Sequence, residues 1–171
     1  MNEQILMDLV ERMRSRFYGK YRGTVTQVGT GENLGRIKAK IPAVLGDVES
    51  GWCMPCVPYA GDQAAMAFLP EEHAGVWIEF EGGDISYPIW VGCYWHNDEI
   101  PDKVAPNVKV ICTPGKQLIV LDNDNHKITI SDDSDNSVTI DTQGIAIVRS
   151  SKKIAISETK VSVNDGAMEV T

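Results

Sequence analysis

The chain has 171 residues, 43% of them apolar and 23% charged, with a formal net charge of −8, which admits one or two small domains with a modest core. The charge is uneven: residues 1–40 hold eight Lys and Arg against four acids, residues 41–100 hold ten acids and no Lys or Arg, and the remainder holds eight against ten. A middle segment without cations excludes a phosphate-binding face there, so nucleic acid is not an expected partner, and the absence of an apolar run near eighteen residues or of a basic-then-apolar leader predicts a soluble chain made in a reducing cytoplasm.

The first predicted element is an amphipathic helix over Asn2 to Phe17, within a segment 1–20. Ile5, Leu9, Met13 and Phe17 recur at i, i+4, i+8 and i+12, with Leu6 and Val10 beside them. Arg12, Arg14 and Arg16 occupy the far side toward the carboxyl end, where the helix dipole favours cations, and Gly19 supplies a stop. Such a stripe either packs on its own domain or docks on a partner ring.

From Tyr21 to Trp95 the pattern changes to short alternating strands separated by Gly, Pro and Asp. Tyr21–Val28, Gly35–Ile41, Trp52–Pro58, Ala65–Leu69, Gly75–Phe80 and Ile89–Trp95 are the expected strands. Glu81-Gly82-Gly83-Asp84 reads as a hairpin tip, since paired glycines tolerate positive φ. Five or six strands in about 75 residues suit a small closed barrel over residues 21–96, followed by a linker over 97–117.

Residues 118–171 repeat one pattern. The triplets Leu118-Ile119-Val120, Ile128-Thr129-Ile130, Val138-Thr139-Ile140, Ile145-Ala146-Ile147, Ile154-Ala155-Ile156, Val161-Ser162-Val163 and Met168-Glu169-Val170 start 10, 10, 7, 9, 7 and 7 residues apart, with Asp, Asn, Ser, Gly and Lys between. Alternation along a strand sends the outer two residues of each triplet to one face, so Leu118, Val120, Ile128, Ile130, Val138, Ile140, Ile145, Ile147, Ile154, Ile156, Val161, Val163, Met168 and Val170 are the expected core of an assembly. Burying them contributes roughly 1.5–3 kcal/mol each as an upper bound, against a domain stability of about 5–15 kcal/mol, so the face cannot stay wet. Three chains wound about one axis would cover it in a triangular prism with polar corners, on the order of 35 Å long. A single-chain solenoid or an antiparallel meander is the alternative.

Motifs for chemistry are weak. Cys53-x-x-Cys56 and Cys93-x-x-His96 have permissive zinc spacing, yet small buried apolar residues would serve equally well at the first pair, which Pro55 interrupts. Asp122-Asn123-Asp124 and Asp132-Asp133-Ser134-Asp135-Asn136 hint at calcium, but twelve positions counted from Asp133 reach Gly144 where an EF-hand needs Glu, so solvated corners are expected. Glu71-Glu72-His73 lacks a second His at metalloprotease spacing, and Gly29-Thr30-Gly31 runs into strand residues rather than a helix. No enzyme activity, cofactor or metal is expected.

Thr30-Gly31-Glu32-Asn33-Leu34-Gly35-Arg36-Ile37-Lys38-Ala39-Lys40-Ile41-Pro42, Gly51-Trp52, Pro55, Pro58-Tyr59-Ala60-Gly61, Phe68-Leu69-Pro70-Glu71, Val76 to Asp84 and Pro88-Ile89-Trp90-Val91-Gly92 resemble the OB-fold of the baseplate V and VgrG spike family. The resemblance implies an all-β chain: an OB barrel behind a short helix, then an intertwined trimeric β-helix. It implies a homotrimeric central spike of a contractile injection particle, such as a phage tail or R-type bacteriocin, that punctures a target envelope. Lysozyme-bearing spikes carry an enzyme between barrel and prism, and larger relatives carry a hub before the barrel; neither fits the spacing here. The resemblance therefore implies a separate hub protein at the barrel end. With no His-x-His pair near Thr171 to close the tip, a separate PAAR-like tip protein is expected at the other. A trimeric tail fibre or adhesin, and an envelope-degrading tail enzyme, are the competing readings.

Overall fold

In the computed structural model, which describes residues 3–171, the chain divides into two compact units, Met1–Glu99 and Ile100–Thr171. The first unit runs α1 (Glu3–Arg14), β1 (Tyr21–Val28), β2 (Ile37–Lys40), α2 (Pro42–Leu45), β3 (Met54–Pro55), β4 (Tyr59–Gly61), β5 (Ala64–Met66), β6 (Gly75–Phe80) and β7 (Pro88–Tyr94). The sheet order is β2-β1-β6-β7-β3, with β4 and β5 paired apart from it.

Alternation puts Val25, Ile37, Ala39, Val76, Ile78, Phe80 and Trp90 on the inner face of this sheet, where they are buried with Ile41 and Cys53. Register shifts at Val25/Gln27 and at Trp77/Ile78 mark bulges, which bend strands and curl the sheet. Cys53, next to β3, exchanges backbone bonds with Ile37 of β2 at 2.8 and 3.4 Å, so the two ends of the curled sheet meet. The Glu81–Gly83 turn joins β6 to β7 as the paired glycines predict, with Gly82 at φ 57° and Gly83 at φ 77°.

The helix differs from expectation. Its expected start, Asn2, lies outside the described residues, as does the side chain of Arg12. It ends at Arg14, and Phe17 leaves the stripe to pack against the rings of Tyr21 and Phe80. Burial of an aromatic ring in the sheet core outweighs one more helical turn. The stripe itself does not pack on its own unit: Ile5, Leu6, Leu9, Val10 and Met13 are all exposed in the single chain.

The second unit contains β8 (Val108–Cys112), β9 (Leu118–Asp122), β10 (Lys127–Ser131), β11 (Asn136–Asp141), β12 (Gly144–Arg149), β13 (Lys152–Ile156), β14 (Val161–Val163) and β15 (Met168–Val170). They form one eight-stranded antiparallel meander in chain order. Thus β8 arises inside the stretch 97–117 expected as linker. Short turns make pairing with the next strand the cheapest closure. Strands β9 to β14 have both edges paired within the chain, which leaves no ladder position between them for an interleaved strand of another copy.

Candidate functional site

Directly paired residues of an antiparallel ladder point to the same face. The pairs Ile128↔Ile140, Ile130↔Val138, Val138↔Ile147, Ile140↔Ile145, Ile145↔Ile156, Ile147↔Ile154, Ile154↔Val163, Ile156↔Val161, Val161↔Val170 and Val163↔Met168 therefore share one face. The opposite face carries Thr129, Thr139, Ala146, Ala155, Ser162 and Glu169.

At the start of the sheet the register corrects the sequence-based phase. Ile128 pairs with Leu121 and Ile130 with Ile119, so Ile119 and Leu121 join the apolar face, whereas Leu118 and Val120 lie on the other. Leu118 to Leu121 is an unbroken apolar run, and a period of two cannot be phased where both faces are apolar. Ile111 of β8, opposite Ile119, extends the face further. The alternation of Val108-Lys109-Val110 was the available signal for β8, but Ile111 after Val110 blurs it.

Within its own unit this face is open. Ile119, Leu121, Ile128, Ile130, Ile140, Ile145, Ile147, Ile154, Ile156 and Val161 are 37–50% exposed and Met168 and Val170 more so, while Val138 and Val163 are half-buried. An aliphatic face two side chains wide on seven successive strands is far larger than monomeric proteins leave open, and it marks an interface between protein surfaces.

The turns at its rims satisfy themselves. The Asp132 carboxylate accepts the Asn136 side-chain amide at 2.7 Å and the backbone N–H groups of Ser134 and Asn136 at 2.9 and 3.1 Å. These bonds, the Asn136 amide foremost, hold its pKa below the usual aspartate range. Asp122 is lowered in the same way by Asn125, through its side-chain amide and then its backbone N–H. Lys116, His126, Asp135, Ser150, Asn164 and Asp165 take positive φ of 47–61° in the turns. Such turns match the right-handed strand twist of a hairpin.

Two family models match this chain: the type VI secretion system/phage-baseplate injector OB domain over residues 21–95, and the phage baseplate V C-terminal trimerisation domain over residues 108–169. The chain belongs to the phage baseplate V family. Its curled sheet is the OB domain of this family, and the meander is the domain through which baseplate V copies trimerise. The chain is accordingly a homotrimer with a structural, spike-type role in a phage or secretion baseplate. Among curated proteins nothing matches it.

The other sequence candidates are dispersed in this baseplate V chain. Cys53 is buried, with its thiol pushed up by burial, while Cys56, Cys93 and Cys112 are exposed free cysteines. His96 packs edge-on to Tyr94 at 5.2 Å, and its backbone N–H donates to Glu99. Among the described residues no three His, Cys, Asp or Glu side chains gather as a metal site, and no helix is long and apolar enough to cross a membrane. His73 lies in a turn whose backbone N–H donates to Val25 O at 2.9 Å.

Proposed function

We propose that three meanders pack with their aliphatic faces inward, each copy forming one wall of a triangular prism that serves as the central spike of a contractile injection particle. The supporting observation is the open face itself: two apolar side chains per strand on β9 to β15, opposite a mainly polar face from β10 onward. This geometry favours walls made by single chains over strands intertwined between copies. Strands shorten from six residues in β11 and β12 to three in β14 and β15, which tapers each wall toward the carboxyl end.

In this reading stiffness is the working property. Ladder bonds along each wall and a continuous aliphatic interior resist bending while the particle drives the spike through a target envelope. The hub is a separate protein at the OB and amino-terminal end, and a PAAR-like protein caps the carboxyl end. The particle is a phage tail, a bacteriocin or a related cellular device, and the chain carries no catalytic activity. Light scattering tests the core of the proposal: full-length protein is expected at three times the 18.8 kDa chain mass at micromolar concentration. A folded species at the mass of one chain, with β8 to β15 protected from hydrogen exchange, would overturn it. Pull-down with candidate hub and tip proteins tests the two ends separately.

A further inference from the structure

At one rim the aliphatic face of the meander ends in charge. Asn136, Arg149 and Lys152 stand directly opposite one another on β11, β12 and β13. They lie two residues from Val138, Ile147 and Ile154 respectively, so this row shares the aliphatic face. Like charges set opposite each other on neighbouring strands destabilise a sheet, and these two are compensated unequally. Arg149 donates to Asn136 Oδ1 at 3.0 Å and lies near the Asp132 carboxylate, which it helps to keep ionised. Lys152 is exposed and meets no carboxylate: the ion pairs among the described residues of this unit are Lys153 with Asp165 and Lys160 with Glu169.

A meander has two rims, because its turns alternate sides. The β8–β9, β10–β11, β12–β13 and β14–β15 turns form the rim of Arg149 and Lys152, and the β9–β10, β11–β12 and β13–β14 turns form the other. In a closed threefold ring contacts are heterologous, so the first rim of each wall meets the second rim of the next. On the second rim Asp122 accepts from Asn125, Asp124 from the Asn107 amide at 2.9 Å, and Asp141 from the Gln143 N–H at 2.8 Å. Its cations Lys127 and Lys160 already stand by Asp122 and Glu169. Glu158, exposed in the β13–β14 turn, has no partner among the described residues. The acids of the first rim do not serve Lys152: Asp132, Asp133 and Asp135 belong to the β10–β11 turn, and Asp165 holds Lys153 at 3.4 Å. Strand β13 crosses the wall from Lys152 to Glu158, so its two ends reach the two corners at one height. Within one chain they are about 20 Å apart, at roughly 3.3 Å per residue, too far to pair. We propose that at each corner of the prism Glu158 of one copy pairs with Lys152 of the next, beside Arg149, so that the three β13 strands follow one another head to tail around the axis. The inference rests on the trimer reading above, and both partners lie within the trimerisation domain of the family.

The test treats full-length protein with a water-soluble carbodiimide, which joins an amine to a carboxylate in direct contact. A band of two chain masses in which mass spectrometry finds an amide between Lys152 and Glu158 supports the proposal. Lys152 joined to a different carboxylate, or left unjoined in a trimer, overturns it. Glu158→Lys should remove the link and speed the exchange of chains between trimers by up to about fivefold per corner, the range of an exposed ion pair. Adding Lys152→Glu to that protein should slow exchange again and restore the link with amine and carboxylate exchanged. An exchange rate unmoved by Glu158→Lys, or a doubly changed protein without the link, overturns the pairing. Light scattering of the same samples separates the two readings: loss of the trimer mass in the parent protein defeats the prism, whereas a trimer without this link defeats only the corner.

Discussion

At the residue scale, two positions in the meander show how backbone and charge hold its strands. Gly144 opens β12 at φ +134°, and a Cβ there would stand 2.0 Å from Ile156 O of β13. Gly144→Ala should therefore cost about 2 kcal/mol or more, read as a lower urea midpoint with an unchanged slope. Asp132 and Asp122 have pKa values lowered mainly by the side-chain amides of Asn136 and Asn125. A carboxylate depressed in the folded state contributes stability above its unfolded value of about 3.9, and that contribution is lost as the pH falls through the lower folded value. The melting temperature of the full-length trimer should thus hold above about pH 5 and fall below about pH 4, with Asp132→Asn lowering it at neutral pH and flattening the fall. Melts recorded from neutral to acid pH check both points.

At the scale of elements, the register of β9 is the sharpest claim. Ile119 faces the aliphatic side and Val120 the other, although both belong to one apolar run. Ile119→Asp places a carboxylate on the face proposed to line the trimer interior and should abolish the trimer, since an unpaired buried charge costs several kcal/mol in each copy. Val120→Asp should leave the trimer mass intact. Gel filtration of the two variants distinguishes the phases, and the reverse pattern would restore Leu118 and Val120 as the interior pair. From β10 onward the phase was legible in the residues, because Thr129, Thr139, Ala146, Ala155 and Ser162 interrupt the apolar side chains one for one. The helix end was not legible: Phe17 continues the i+4 spacing, and only the aromatic pocket of Tyr21 and Phe80 removes it from the stripe.

At the scale of the whole molecule, assembly and stability are inseparable. A domain with a continuous exposed aliphatic face is stabilised by the copies that cover it, so its melting temperature should rise with protein concentration. Deleting residues 100–171 should leave an OB unit that melts independently of concentration and runs as a monomer, because its own core, from Val25 to Trp90, is complete in one chain. Calorimetry of both proteins over a tenfold concentration range checks this.

The order of residue types along the chain was enough to determine the class and the division of labour. Strict alternation with turn residues at the corners specifies short strands with one greasy face, and fourteen such side chains on one chain require company. Pairing decided the rest. Which face Leu118 to Leu121 present, that β8 belongs to the meander, that Cys53 joins the two ends of the curled sheet and that the ladder is completed within one chain all depend on contacts between residues apart in sequence. Local periodicity is silent about such contacts wherever a run is apolar on both sides or a strand is only two residues long.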